Sequence, residues 1–446
     1  MVFGKGGSAF RRNVSWQIIG SISQAVLGGL VLLIAGRELA ASGFGQFSII
    51  IGFVTVGNLL MEPRMQDVVA RQFWNFSQQH ESFSQHGHSF IDFIVFESVV
   101  KLIPCLALVL LSGPLAALAS LPAGSAGLIA IAALGNYVGR IGYGSSTGLL
   151  RVLGRSDQFT LFGSGELLLR FLCLATLAYA SALNVTTAVW AVSLTLALSN
   201  VVQLGVTARH VSGLVRASRG WRFAPALKRL DEHRRLLISN LGLSASDLMA
   251  KDLDITLLAP LMPAAQIGVY KMAKTIAMLS WRAVDPFYLA LMPELSRRVQ
   301  ARDAAGTWSL LRRSTLGLAV LAMLLSVGAY GVLVLFGAQL IGPDFAGIPD
   351  IIVWMLIGVV TGAPLVWGHP LAVALNRADL AFWGSLLGSS IGLCAFFILV
   401  RSLGTHGAAI AWSLSFVPGF VFTALMSLRL FRHVTRPGGE LGIGTK

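Results

Sequence analysis

Charged residues are scarce in this sequence, and acidic residues are scarcer than basic ones. Asp, Glu, Lys and Arg make up 12% of the 446 residues, against 55% hydrophobic residues and a mean hydropathy of +0.73. A soluble domain has about a quarter of its residues charged, so the composition excludes a protein whose main solvent is water. The 34 basic and 20 acidic residues give a formal charge of +14, which in a membrane protein favours contact with anionic lipids.

Cysteine is also rare, which argues against a disulfide framework or a thiolate metal site. The three cysteines, Cys105, Cys173 and Cys394, lie inside apolar runs and have no second Cys or His at ligand spacing. We interpret them as small core residues. The sequence therefore predicts no bound metal and no cofactor.

Long apolar runs, by contrast, recur along the whole chain. Each has at least 18 residues, enough to cross a hydrocarbon core of about 30 Å as a helix. They predict an all-α integral membrane protein with about twelve transmembrane helices. The predicted spans are 13–36, 44–62, 88–112, 124–150, 157–181, 186–209, 236–260, 267–292, 309–337, 346–371, 379–401 and 406–430.

The distribution of Lys and Arg between the spans predicts the orientation. With both termini on the cytoplasmic side, the inner segments together with the span ends beside them carry 25 of these residues, and the outer loops with their adjoining span ends carry only Arg37 and Arg401. Cytoplasmic loops are enriched in Lys and Arg. One missed span would invert every later loop, so this asymmetry supports an even count of twelve.

An internal repeat divides the twelve spans into two halves. Leu153 to Asp157 (Leu-Gly-Arg-Ser-Asp) recurs as Leu375 to Asp379 (Leu-Asn-Arg-Ala-Asp), and Trp190 recurs as Trp412, both at an offset of 222 residues. Six spans in each half make the repeats parallel, with a cavity expected between them. The predicted organisation is an N-terminal half (1–209), a linker (210–235) and a C-terminal half with a short basic tail (236–446).

The linker is strongly basic. It contains seven Lys and Arg residues, with Trp221 and Phe223 among them. This mixture is typical of a segment that lies on anionic lipid headgroups. It could also suit nucleic acid, but in a chain of membrane spans we predict lipid and no nucleic acid as the partner.

The eighth span has an unusual number of charges for a transmembrane helix. At 100° per residue, Lys271, Lys274, Arg282 and Asp285 fall within an arc of about 80°. Ionisable groups inside a membrane are expensive and mark functional sites. The first three are therefore candidate substrate-binding cations, and Asp285 is a candidate acidic partner.

The seventh span adds Asp247, Lys251 and Asp254, which fall on one face if the helix is continuous, whereas Asp252 lies off that stripe. Lys251 is a further candidate cation, and the two aspartates are candidate cavity acids. Asp247 and Lys251 are also spaced as an ion pair along one helix. A structural role for Lys251 therefore remains open.

Polar residues in other spans have competing explanations. Gln17, Ser21 and Gln24 share a narrow face of the first span, which suits sugar hydroxyls or hydrogen bonds between helices. Arg140 has no acid three or four residues away, so it is a candidate cation for a ligand outside its own helix. Two acid-first pairs at i and i+4 are instead expected to neutralise themselves: Glu97 with Lys101, and Glu166 with Arg170.

Loose motifs over the whole chain resemble the polysaccharide flippase branch of the multidrug/oligosaccharidyl-lipid/polysaccharide exporter superfamily. They are Ala41 to Phe47 (Ala-Ser-Gly-Phe-Gly-Gln-Phe), Leu150 to Arg155 (Leu-Arg-Val-Leu-Gly-Arg), Asp254 to Leu258 (Asp-Ile-Thr-Leu-Leu) and Ile267 to Tyr270 (Ile-Gly-Val-Tyr). The resemblance implies two six-helix bundles around a central cavity. It also implies export of undecaprenyl-pyrophosphate-linked oligosaccharide across the bacterial inner membrane, for lipopolysaccharide, exopolysaccharide or capsule synthesis, with a glycan polymerase as a possible partner.

Two other functions compete with this hypothesis. A cation-coupled multidrug antiporter of the same fold would need an acidic cavity, whereas the eighth span is net positive and the first has no carboxylate. A membrane-embedded glycan polymerase or ligase would need a sizeable outer loop for catalytic groups, and the longest outer loops here have about a dozen residues. A transporter, not an enzyme, is the preferred prediction.

Overall fold

A computed structural model describes residues 6–78, 87–210, 237, 240–241, 244, 248, 251–377 and 379–434. Every regular element within these ranges is helical. The predicted linker after His210 and ten of the 25 residues of the predicted seventh span lie outside the described residues.

Within the described residues, the first half of the chain forms eight helices. Two positions with positive φ interrupt its helical backbone. Ala40, at φ 54° and ψ 176°, breaks the first long helix, and Gly142, at φ 59°, divides the predicted fourth span. The bounds are α1 Gly6–Leu60, α2 Met65–Gln78, α3 Gly87–Leu110, α4 Ser112–Leu118, α5 Ser125–Arg140, α6 Tyr143–Val152, α7 Ser156–Tyr179 and α8 Val185–His210.

The second half repeats this pattern of long and short helices. The predicted eighth span ends early, and a separate helix begins at Asp285 with Pro286 at its start, where a missing backbone N–H does no harm. Gly404, at φ 59°, breaks the long helix near the end of the chain. The bounds are α9 Leu253–Leu258, α10 Ala264–Arg282, α11 Asp285–Gln300, α12 Ala304–Leu340, α13 Ile348–Gly362, α14 Gly368–Ala374, α15 Asp379–Leu414 and α16 Val417–Val434.

Seven stretches of the described chain are long and apolar enough to cross a membrane. Two of them, Ile19–Ala70 and Asp379–Val434, have 52 and 56 residues, which at about 1.5 Å per residue is sufficient for two crossings each. Three predicted spans are missing from these stretches for identifiable reasons. Span 124–150 is divided at Gly142, span 267–292 is charged and interrupted after Arg282, and span 236–260 is described only in part, with a turn at Lys251 and Asp252.

Backbone contacts divide the chain into two compact units. One comprises Met1–Leu248 with Ile255–Ala264, and the other comprises Met249–Asp254 with Ala265–Lys446. The chain passes between the units more than once near residue 250. Asp254 therefore belongs to the second unit, and its neighbour Ile255 belongs to the first.

Left-handed backbone positions follow the 222-residue offset seen in the sequence. Ser120 and Gly342 both have positive φ after the third helical span of their half. Gly154 (φ 66°) and Asn376 (φ 59°), also 222 residues apart, end the short helices α6 and α14. Gly and Asn tolerate this conformation best. The repeat is therefore present in the turns of the two halves as well as in their sequences.

Each half also has a short amphipathic helix that follows its second span. The buried residues of α2 and α11 recur every four positions, so they form one stripe on each helix. In the first half the stripe packs on residues of α3 and α6, and in the second half it packs on α14 and α16. The stripes are Met65, Val69 and Phe73 in α2, and Leu291, Leu295 and Val299 in α11.

Small residues allow very close helix packing in both halves. A Cβ added to Gly135 in α5 would lie 2.3 Å from Ser193 Cβ in α8, and one added to Gly358 in α13 would lie 2.3 Å from Ser413 Oγ in α15. Close approach through Gly and Ser is the common way to pack helices in a membrane. The two contacts occupy near-equivalent positions of the repeat.

Candidate functional site

A buried ion pair joins α10 to the segment before it. Lys274 Nζ lies 2.8 Å from both carboxylate oxygens of Asp254, and the Tyr270 hydroxyl donates a hydrogen bond to Asp254 Oδ2. All three residues are completely buried. An ion pair away from water is stable only if its remaining polar sites are also satisfied, and the tyrosine satisfies part of that need.

A turn before α9 provides a further hydrogen-bond acceptor for the Lys274 ammonium group. Lys251 and Asp252 form a turn before α9, and the Lys251 carbonyl accepts a hydrogen bond from Lys274 Nζ. The ammonium group therefore has a backbone acceptor in addition to the Asp254 carboxylate. This partner could not be foreseen from a continuous seventh helix, in which carbonyl groups bond within the helix.

The same break corrects the predicted position of Asp252. A continuous helix would place Asp252 away from the charged stripe, but in the structure Asp252 Oδ1 lies 2.6 Å from Lys271 Nζ. The expectation was wrong because Lys251 and Asp252 are in a turn, where the spacing of 100° per residue does not apply. Lys271 and Asp252 are 23% and 16% exposed, so this second pair is less enclosed by protein than the first.

The other predicted charges of this region lie in different environments. Arg282, in the last turn of α10, and Lys251 both have exposed side chains. Asp247 lies outside the described residues. Asp285 begins α11, but its side chain is also outside the described part, so the predicted one-sided stripe of four charges is observed only for Lys271 and Lys274 with their partners.

The polar face predicted for the first span is partly in contact with another helix. The Gln24 amide is packed against Gly163 of α7, where an added Cβ would lie 2.5 Å from Gln24 Nε2. Ser21 is half-buried, and the side chain of Gln17 is outside the described residues. The close contact at Gly163 supports the interhelical alternative for Gln24.

A second buried ion cluster lies in the first half, and sequence analysis found only its central pair. Lys101 Nζ is 2.8 Å from Glu97 Oε1, as the i to i+4 spacing predicted, and 3.4 Å from Glu62 Oε2. Glu97 also accepts hydrogen bonds of 2.9 Å from the backbone amides of Gly144 and Ser145. A carboxylate at the free amides of a helix N-terminus is favourable, and here it comes from a different helix.

Arg140 ends α5, directly before the break at Gly142. Its carbonyl accepts a 3.4 Å hydrogen bond from Lys101 Nζ, and its guanidinium carbon lies 4.9 Å from the centre of the Tyr143 ring. Glu166 and Arg170 are in direct contact in α7, as predicted from their spacing. The group observed beside the Arg140 guanidinium is thus an aromatic ring of α6, and its role as a substrate-binding cation stays a prediction.

Sequence analysis gave no role in these clusters to four of their residues: Tyr270, Asp252, Glu62 and Ser145. Tyr270 precedes two lysines on α10 and gave no charge signal of its own. Glu62 lies at the end of a predicted span, where a carboxylate is expected to be solvated. A search for acids near helix breaks would have found Asp252 and Glu62.

Comparisons by sequence identify no relative. No family model matches the chain, and no curated protein matches it.

Comparisons of structure do find similar proteins. An inward-facing multidrug resistance MATE transporter of the MOP superfamily has 13% identity and a TM-score of 0.64, with 94% of this chain and 99% of that chain covered. The lipid II flippase MurJ in an inward closed conformation has 12% identity and a TM-score of 0.65, with 95% and 94% covered. The eukaryotic MATE transporter AtDTX14 has 15% identity and a TM-score of 0.61, with 96% and 99% covered.

This chain has the fold that these solved structures share. It is a multi-pass membrane protein with the helical architecture of the MATE transporters and MurJ. These neighbours are transporters and a flippase rather than enzymes. At 12 to 15% identity, the likeness extends to the fold and leaves the transported substrate open.

Proposed function

We propose that this protein exports undecaprenyl-pyrophosphate-linked oligosaccharide across the bacterial inner membrane by alternating access between its two halves. The loose sequence motifs that resemble polysaccharide flippases, and the fold shared with the MATE transporters and MurJ, support this proposal. The oligosaccharide would serve the synthesis of a surface polysaccharide, with anionic lipids around the protein and a glycan polymerase as a possible partner.

The observation that carries the proposal is that the basic residues of α10 differ in burial and in ion pairing. Lys274 is completely buried and bonded to Asp254, so its charge is neutralised inside the protein. Lys271 is partly exposed beside Asp252, and Arg282 is exposed at the end of the helix. We therefore assign substrate contact to Arg282 and Lys271, and a structural role to Lys274.

The chemistry of the substrate fits two accessible cations better than one buried pair. A pyrophosphate has several negative charges and many acceptor oxygens. A guanidinium group binds phosphate through two parallel hydrogen bonds, and an ammonium group adds a compact charge. Arg282 and Lys271 supply one group of each type, while the lipid tail would stay in the bilayer.

The test separates substrate contact from folding. A bacterial strain without its chromosomal copy is complemented with Lys271→Gln/Arg282→Gln, and surface polysaccharide and membrane protein level are both measured. We expect a normal protein level and loss of most surface polysaccharide. A matched control is Arg312→Gln/Arg313→Gln, which removes two exposed charges from α12 and is expected to leave export intact.

Normal export from the Lys271→Gln/Arg282→Gln variant would refute the site assignment. Failure of both double variants with normal protein levels would point to a general effect of net charge instead of a site. The Lys274→Gln variant is expected to fail differently, through a lower protein level, because it leaves the Asp254 carboxylate buried without its cation.

A cation-coupled multidrug antiporter is the second candidate, and the similarity in fold to MATE transporters favours it. This candidate can be tested with the purified protein reconstituted in lipid vesicles. Efflux of a cationic dye driven by a proton or sodium gradient would support the antiporter, particularly if Lys271→Gln/Arg282→Gln did not reduce that efflux.

A further inference from the structure

A turn of the same geometry follows each of the short helices α6 and α14, which the 222-residue offset relates. The Arg155 N–H donates a 2.9 Å hydrogen bond to the Leu150 carbonyl, and the equivalent Arg377 N–H donates one of 2.9 Å to the Ala372 carbonyl. The residue before each arginine has positive φ. The backbone therefore carries an arginine in the same way in both halves.

The side chains of these two arginines differ in ion pairing. Arg377 Nε and Nη2 each lie 2.8 Å from a different carboxylate oxygen of Asp379, so this guanidinium is bound bidentately. Asp157 has the same spacing from Arg155, but Arg155 makes no ion pair within the part of the chain that the structure describes. The exposed Arg155 guanidinium is therefore accessible to an acceptor from outside the protein.

A second arginine lies beside the turn in the first half. The guanidinium carbon of Arg151 is 5.4 Å from the centre of the Phe159 ring. Phe159 lies one helical turn after Arg155, and its N–H donates a 3.2 Å hydrogen bond to the Arg155 carbonyl. The two arginines therefore flank one aromatic ring. In the second half the offset places Val373 where the first half has Arg151, so only the first half has this pair.

Two carboxylates lie near the arginine pair, but each also serves a helix end. Asp67 is 3.9 Å from Arg151, and the two side chains are 48% and 41% exposed, so this contact is weak. Asp67 and Asp157 lie in the first turns of α2 and α7, where a carboxylate compensates the positive end of the helix dipole. The two guanidinium groups therefore keep the capacity to bind another anion.

The arginine pair lies at the end of an apolar, exposed stripe. Leu161, Leu168 and Leu172 of α7 are 60%, 46% and 51% exposed, and at 100° per residue they fall within an arc of about 40°. Leu161 is about 9 Å along the helix from Arg155. A stripe of this kind on a membrane-spanning helix faces acyl chains, so Arg151 and Arg155 lie where headgroups are expected.

We propose that Arg151 and Arg155 bind the phosphate headgroup of an anionic phospholipid, with its acyl chain along the stripe of Leu161, Leu168 and Leu172. Guanidinium groups bind phosphate through paired hydrogen bonds. The turn is on the side predicted to be cytoplasmic, where anionic lipids attract basic residues. The equivalent turn of the second half binds no lipid in this way, because Asp379 occupies Arg377.

The experiment measures lipid binding by purified full-length protein in detergent. Dioleoylphosphatidylglycerol is titrated into the sample, and native mass spectrometry gives the dissociation constant of the most tightly bound lipid. We expect the wild type to bind phosphatidylglycerol in preference to phosphatidylcholine. Arg151→Gln/Arg155→Gln is expected to weaken that binding by about tenfold, which corresponds to about 1.4 kcal/mol.

The second half supplies the matched control and a gain of binding. Arg377→Gln removes the equivalent arginine, which is already bound by Asp379, so the affinity for phosphatidylglycerol should not change. Asp379→Asn releases Arg377, and this variant should bind one additional phosphatidylglycerol. That lipid should bind about fivefold more weakly than the first, because one arginine is available instead of two. The gain is measurable even if Arg151→Gln/Arg155→Gln lowers the protein level.

Four results would overturn the proposal. They are equal wild-type affinity for the two lipids, unchanged affinity in Arg151→Gln/Arg155→Gln, an equal loss in Arg377→Gln, and displacement of the lipid by an equal concentration of free glycerol phosphate. The last result would indicate a site for soluble phosphate. The assay contains no lipid-linked oligosaccharide and leaves Lys271 and Arg282 unchanged. Its outcome is therefore independent of whether the protein is a flippase.

Discussion

Among the residues that the structure describes, each half of the molecule has one fully buried lysine, and the nearest carboxylate comes from a different place in each half. In the first half, Lys101 pairs most closely with Glu97, one turn earlier on the same helix, and also contacts Glu62 and the Arg140 carbonyl. In the second half, Lys274 pairs with Asp254 from a separate segment and with a backbone carbonyl. The 222-residue offset does not match the two lysines, since it relates Lys101 to Met323 and Lys274 to Gly52.

This difference shows which features follow the repeat. Turns with positive φ and close glycine contacts recur at equivalent positions in both halves. The buried charged residues lie at positions that the repeat does not relate. The common features belong to the backbone scaffold, and the ion clusters were fitted to each half separately. We therefore expect changes at the scaffold to act alike in both halves and changes at the ion clusters to act differently.

The largest effect is expected at the two buried carboxylates, and Asp254 should exceed Glu97. Breaking a buried ion pair costs about 3–5 kcal/mol. Glu97→Gln removes a carboxylate that binds Lys101 and two amides of α6, but Lys101 keeps Glu62 and the Arg140 carbonyl. Asp254→Asn should cost more, because it leaves Lys274 with the Lys251 carbonyl in place of its ion pair. Unfolding in mixtures of detergent and SDS measures both, with the exposed Asp344→Asn as the control. An equal or larger loss for Glu97→Gln would contradict this ranking.

Tyr270→Phe isolates one hydrogen bond of the second cluster. The change removes the hydroxyl that donates to Asp254 and leaves the ring in place, so the expected loss of unfolding free energy is about 1.5–3 kcal/mol. Tyr330→Phe is a suitable control, because Tyr330 is 40% exposed in α12. If the two changes had the same effect, the hydroxyl of Tyr270 would not be part of the ion cluster's stability.

Gly135→Ala and Gly358→Ala test whether the scaffold acts alike in the two halves. Each added methyl group would meet a serine of the neighbouring helix at 2.3 Å, and overpacking of this kind costs about 1–3 kcal/mol. Gly127→Ala and Gly317→Ala have no atom within 4 Å of the new methyl group and should be close to neutral. A strong effect in only one half would break the proposed equivalence.

The smallest effect on stability is expected at Lys271. Its pair with Asp252 is partly exposed, and pairs in contact with solvent contribute about 0–1 kcal/mol. Lys271→Gln should therefore unfold nearly as the wild type does, while Lys274→Gln is clearly destabilised. Similar losses in these two variants would place Lys271 in the structural cluster and remove it from the substrate site.

Most of the fold could be predicted from the sequence, because hydrophobic length and basic loops reflect the bilayer directly. The i to i+4 pairs Glu97–Lys101 and Glu166–Arg170 were predictable for a similar reason, since helix geometry alone brings them together. The partners of Lys271 and Lys274 were not. They depend on a turn at Lys251 and Asp252, and a helical projection has no means of placing residues on either side of such a break.

The close packing of α15 and α16 has a practical consequence. Gly388 approaches the carbonyl of Ser415 so closely that an added Cβ would lie 2.5 Å from its oxygen, and a Cβ added to Gly419 would lie 2.4 Å from the carbonyl oxygen of Gly384. Helices in backbone contact have little freedom to slide, because protein interiors are packed as densely as crystals. Probes attached to the exposed residues Ile398 and Leu425 should therefore stay at a constant distance from each other. That distance provides an internal reference for spectroscopic distances measured elsewhere in the protein.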